Sequence, residues 1–125
     1  TVDSFEHLRH GGRVSAVAAT AGTLLQIKPL LRVDEEGRLQ VAEKPRGRRR
    51  AVESQLARME KGWMPELGKL AVVGHGDCPE EGEALRSAVL RRFPDAEVYL
   101  AGIGPIIGAH TGPGMLALVF WGSER

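Results

Sequence analysis

Val2, Phe5 and Leu8 fall three apart, the spacing of one helical face. Residues 3 to 10 therefore read as a short helix, with Asp3 or Ser4 able to cap its first N–H groups and Gly11-Gly12 ending it. Val14, Val17, Ala18, Ala21, Leu24 and Leu25 keep the helical period, and small neighbours such as Ala16, Ala19 and Gly22 permit close packing, so a second helix is expected there. Pro29 stops it, because proline lacks an N–H and turns its predecessor away from helix. Extended residues to Val33, a turn at Asp34-Glu35-Glu36-Gly37 and an alternating run from Leu39 to Glu43 make residues 29 to 43 a hairpin with one wet face.

Val52, Leu56 and Met59 mark a further helix. Leu70 to Val73 reads as a short buried strand, and residues 79 to 92 as a helix with Leu85, Ala88 and Val89 inward. Val98 to Leu100 and Met115 to Trp121 are two more strands, the last continuously apolar and expected at the centre of its sheet. The pattern is that of an α/β domain with a mixed β-sheet and packed helices, and Gly62 to Gly68 is its candidate linker.

Length and charge narrow the class. The 125 residues suit one domain able to bury a core without staples. A net charge of +1 argues against capture of nucleic acid by the whole domain. No run approaches the roughly 18 apolar residues of a membrane span, and nothing at the start resembles a signal segment, so neither spanning nor secretion is expected. The single Cys78 forms no internal disulfide, which favours a reducing, cytoplasmic setting. The start at Thr1, running straight into a helical pattern, reads as a piece of something longer.

The candidate chemistry concentrates in glycine. From Gly102 to Gly114 the chain reads GIGPIIGAHTGPG, a loop whose glycines allow close backbone approach, whose Ile103, Ile106 and Ile107 are apolar, and whose His110-Thr111 is polar. Such a loop suits a ligand with a greasy body and an anionic end, although the glycines could simply turn the chain. Gly11-Gly12-Arg13 could clamp a carboxylate with a guanidinium, or could be no more than a helix end beside a solvated arginine. Lys44 to Arg50 holds five basic residues in seven and reads as a solvated turn or as a docking surface. His7 and His10 lack a third metal ligand, so no metal is expected. His75, Asp77 and Cys78 follow a strand end, where a cysteine–histidine nucleophile is conceivable.

Taken in order, GGRVS at 11–15, GTLLQIKPLL at 22–31, EKPRGR at 43–48 and IGPIIGAHTGPG at 103–114 resemble the motifs of the DegV family. The resemblance covers nearly the whole chain but only the carboxyl-terminal domain of that family, making residues 1–125 a lipid-binding domain without its amino-terminal partner. It implies a non-catalytic carrier that encloses a long-chain fatty acid and presents its carboxylate to a separate fatty acid kinase subunit. Arg13 and His110 would hold the carboxylate. Leu24, Leu25, Ile27, Ile103, Ile106 and Ile107 would line the acyl chain. Arg46 and Arg48 would dock the kinase, and no cofactor is needed. Membrane-surface contact would be at most transient. The alternative is a small phosphotransferase or acyl hydrolase using His110 or the His75/Cys78 pair.

Overall fold

The computed structural model describes residues 1–14 and 25–123. A short helix, α1 (Glu6–His10), forms where the spacing predicts it. Its fully buried Leu8 packs with Val2 and Phe5 into a small cluster that also takes Val14, Ile27, Leu31 and Met115. The second helix expected from Val14 to Leu25 falls on residues 15–24, outside the described residues.

Next come β1 (Leu30–Val33) and β2 (Leu39–Glu43), an antiparallel hairpin with Leu31 opposite Val41 and Val33 opposite Leu39. Asp34 makes the turn. Its carboxylate accepts the Arg38 backbone N–H at 2.7 Å, with the Arg38 and Gln40 side chains as further donors, and these hold its carboxyl below the ordinary range. The apolar side of this hairpin differs from expectation. Val33, Leu39 and Val41 stay 48%, 40% and 40% exposed, so among the described residues the hairpin buries only its base, at Leu30 and Leu31, and both faces of its outer half are wet.

The rest of the chain builds the main core: α2 (Arg48–Gly62), β3 (Leu70–His75), α3 (Pro79–Arg92), β4 (Glu97–Gly102), α4 (Pro105–Thr111) and β5 (Leu116–Phe120). Strand β3 lies in the middle, parallel to β4 and antiparallel to β5. This corrects the expectation that the continuously apolar last strand is central. The unit β3-α3-β4 sets β4 along one side of β3 and leaves the other to β5, whose alternate residues meet different surroundings. Leu116, Leu118 and Phe120 join the core, while Ala117 and Val119 fall on the opposite face.

Ala71 and Val73 of β3 and Val98 and Leu100 of β4 pack on the same side with Leu56 and Met59 of α2 and Leu85 and Val89 of α3. Among the described residues the opposite face is open. There Val72 sits between Tyr99 and Val119, both 61% exposed. The candidate linker is fastened down, since Trp63 meets the Phe93 ring edge-on at 4.7 Å and the Met64 N–H donates to the Trp121 carbonyl at 2.9 Å.

The chain start is fastened as well. The Thr1 amine donates to the Leu116 carbonyl at 2.7 Å and the Leu116 N–H returns a bond to the Thr1 carbonyl at 2.9 Å, an antiparallel pair beside β5. Gln55 adds a donor to the same Leu116 carbonyl at 3.0 Å.

Candidate ligand site at the glycine motifs

The segment from Gly102 to Gly114 is not all loop, as its glycines suggest, because α4 forms inside it. Gly104 is extended, Pro105 supplies a helical φ at the first position, and Gly112 ends the helix at φ +75°. Thr111 closes its hydroxyl onto the Ile107 carbonyl at 2.9 Å. Placed this way, α4 presents Ile106 and Ile107 to solvent, at 80% and 54% exposure.

Helix α1 packs against α4 through glycines on both sides. The His110 ring lies directly over Gly11, the His7 ring over Gly112, and the Asp3 side chain over Gly114. A Cβ added at Gly112 would lie 2.8 Å from two His7 ring carbons, inside any real contact. Gly112 is thus required twice, by its positive φ and by the ring against it, whereas Gly37 at φ +77° has open space around it. Gly37→Ala is expected to cost about 1 kcal/mol from its backbone alone. Gly112→Ala should cost roughly 2 kcal/mol more from overlap. Urea unfolding of the two variants checks the ordering, and equal losses would mean that the His7 ring simply moves aside.

Arg13 and His110, far apart in sequence, meet around one residue. The Arg13 guanidinium donates to the Gly11 carbonyl, and the His110 ring packs on the Gly11 Cα. His110 Nδ1 is buried and has no partner among the described residues. A ring nitrogen without an acceptor is best left unprotonated, which leaves Nε2 as the donor of this ring. The pair therefore offers a forked cation and an N–H donor, a donor set matched to a carboxylate.

The other expected site residues divide. Leu24 lies outside the described residues. Leu25 is 46% exposed, and Ile27 packs into the Val2, Phe5 and Leu8 cluster. Ile103 lays its side chain over Gly74, where an added Cβ would meet its Cδ1 at 2.7 Å, and so covers one end of the open sheet face beside Ala117. Arg46 is exposed, as are Lys44, Arg49 and Arg50. Arg48 turns inward. Its Nε donates to Glu81 at 2.6 Å, joining the starts of α2 and α3, and both terminal nitrogens are buried.

The Cys78 thiol is buried and donates to the Met115 carbonyl at 3.5 Å. Burial pushes its pKa up, the Glu81 charge adds to this and Arg48 opposes it, so the thiol is held in its unreactive, protonated form. His75 faces the helix side, against Gly82, with Nδ1 buried and without a partner among the described residues. Among the described residues no group of three or more His, Cys, Asp or Glu side chains is placed to hold a metal. Asp3 and His7 are the contacts that the motifs did not single out. Their spacing with Gly11, four apart each time, was the available signal.

The molecule is an α/β domain with a mixed sheet, in which a GGR turn and an HTGPG helix end pack face to face. The chain belongs to the DegV family, whose model, described as an uncharacterised protein of that family, matches residues 1–122. A DegV domain-containing protein from Clostridium perfringens is 37% identical over 125 residues, all of this chain and 43% of the relative. Among solved structures, a fatty acid binding DegV family protein from Streptococcus agalactiae matches at TM-score 0.77 and 28% identity, covering 94% of this chain and 41% of that one. A structure of fatty acid binding by a DegV family protein from Thermus thermophilus matches at TM-score 0.72 and 35% identity, covering 94% and 42%. The chain thus spans about two-fifths of the length of the relatives it matches.

Proposed function

We propose that this chain is the carboxyl-terminal part of a fatty-acid carrier, holding the acid's carboxylate with Arg13 and His110 while the remainder of a longer protein completes the site. The observation that carries this reading is the convergence of the Arg13 guanidinium and the His110 ring on Gly11. The fatty acid named for the relatives from Streptococcus agalactiae and Thermus thermophilus supports the choice of ligand.

The energetics agree. A buried carboxylate needs a cation and donors to offset a desolvation cost of several kcal/mol, which a guanidinium and an imidazole N–H supply. The tail then provides affinity at about 0.8 kcal/mol per buried methylene. Ile106 and Ile107 are exposed beside His110, and Ile103 leads from the same motif onto the open face with Val72, Val119 and Tyr99. From the other motif Leu25 adds exposed apolar surface, and Ile27 packs into the small cluster of Val2, Phe5 and Leu8.

No step of catalysis falls to this chain in the proposal. A separate fatty acid kinase subunit acts on the presented carboxylate, and Arg46, with the exposed Lys44, Arg49 and Arg50, forms the basic surface that meets it. Arg48 supports that surface from behind through Glu81.

The test is native mass spectrometry of the full-length gene product taken from its host, compared with its denatured mass. An adduct of fatty-acid mass, removed by denaturation and restored by added fatty acid, is the expected result. Absence of the adduct before and after loading would overturn the carrier reading. Turnover of an acyl ester or phosphate by the purified protein alone would favour an enzyme using His110.

A further inference from the structure

Asp3, His7 and Gly11 follow one another at intervals of four, and they meet Gly114, Gly112 and His110 in the reverse order. Each histidine ring rests on a glycine of the opposite segment. The Gly112 backbone under His7 is the end of the turn that carries His110, since the Gly112 N–H donates to the Gly108 carbonyl at 2.8 Å. Asp3 steadies the outer end of this lock. Its carboxylate pairs with Lys28 at 2.8 Å, and Lys28 also donates to the Asp3 carbonyl at 2.7 Å.

We propose that His7 is a positioning residue for the acid site: its ring fixes the backbone at Gly112 and thereby the direction in which His110 presents Nε2. This rests on the reading of Arg13 and His110 as carboxylate ligands. His7 acts by shape, because its contact is a flat ring pressed on a bare Cα. Any planar ring of similar size reproduces that contact, and a methyl group does not. With Ala at residue 7 the end of α4 gains room to shift, and a donor aimed at an anion loses strength steeply as its angle opens.

The experiment measures the affinities of palmitic acid and of cetyl alcohol, which shares the tail and lacks the carboxylate, for the full-length gene product. The unmodified protein should prefer the acid. His7→Ala should weaken palmitic acid binding roughly tenfold, the scale of one hydrogen bond to a charged group put out of line, and leave cetyl alcohol unchanged. His7→Phe should restore the acid's affinity. Equal losses for both ligands, or no loss for either, overturns the proposal. If the alanine variant does not fold, His7→Gln serves in its place, and an unchanged preference for the acid again overturns it. No preference for the acid in the unmodified protein is a different failure, that of the carboxylate reading itself.

Discussion

Arg13→Ala is expected to strip bound fatty acid from the full-length protein while leaving its folding nearly unchanged. The Arg13 side chain is exposed in this chain, and its one described bond, to the Gly11 carbonyl, closes a turn that Gly12 at φ +72° and the bond from the Arg13 N–H to the Leu8 carbonyl at 2.7 Å also hold. Its loss should therefore cost the fold little. For the ligand the loss is large, because a carboxylate drawn out of water would keep only the His110 donor. Truncating one partner of such a pair costs about 3 kcal/mol, more than a hundredfold in affinity. Arg13→Lys keeps the charge and gives up the fork, so it should fall between the two. Titration of each variant with palmitic acid, beside a urea unfolding curve, separates the effects. Full retention of the acid by Arg13→Ala would remove Arg13 from the site.

The second large effect belongs to the 125 residues made on their own, in which Thr1 carries a free amine. In the 125-residue chain, burial of the Thr1 amine, helped by the Arg48 charge, pushes its pKa from 8.0 down to about 5. Between those two values the unfolded chain carries a proton that the folded chain has released, so folding becomes easier as pH rises. Above pH 8 the amine is neutral in both states and imposes no penalty. As pH falls from 8 toward 5 the penalty grows by roughly 1.4 kcal/mol per unit, to about 4 kcal/mol, a large fraction of an ordinary domain's stability. Acetylating Thr1, or adding one residue ahead of it, replaces the amine with a peptide N–H that can still donate to the Leu116 carbonyl. The pH dependence over this window should then disappear. Urea unfolding of the free and acetylated chains at pH 8 and pH 5.5 checks it, and matching slopes would show that the amine finds water in the folded state.

The fold was largely legible because most of its elements announce themselves locally. The periods of Val52, Leu56 and Met59 and of Leu85, Ala88 and Val89 mark the two helices that cover the sheet, and Pro79 sits where the second one starts. Helix α4 was harder to see. Gly108 lowers its helical propensity from within, and the bonds from the Gly108 N–H to the Gly104 carbonyl at 2.9 Å and from the Gly112 N–H to the Gly108 carbonyl at 2.8 Å, with packing against α1, reveal it. The place of β5 was misjudged for a similar reason, since a run of apolar residues records burial without saying which neighbour provides it.

The sequence by itself determined the kinds of elements, the glycine motifs and the identity of the charged and polar groups within them. These depend on backbone preference and side-chain chemistry, which residues carry wherever they stand. Only the tertiary structure decided that Arg48 turns to Glu81 while Arg46 stays in water, that Cys78 is a buried thiol, and that His7 and His110 lock α1 to α4 across two glycines. Each of these depends on contacts between residues distant along the chain, and such contacts exist only once β3, α3 and β5 have packed and fixed where each segment lies.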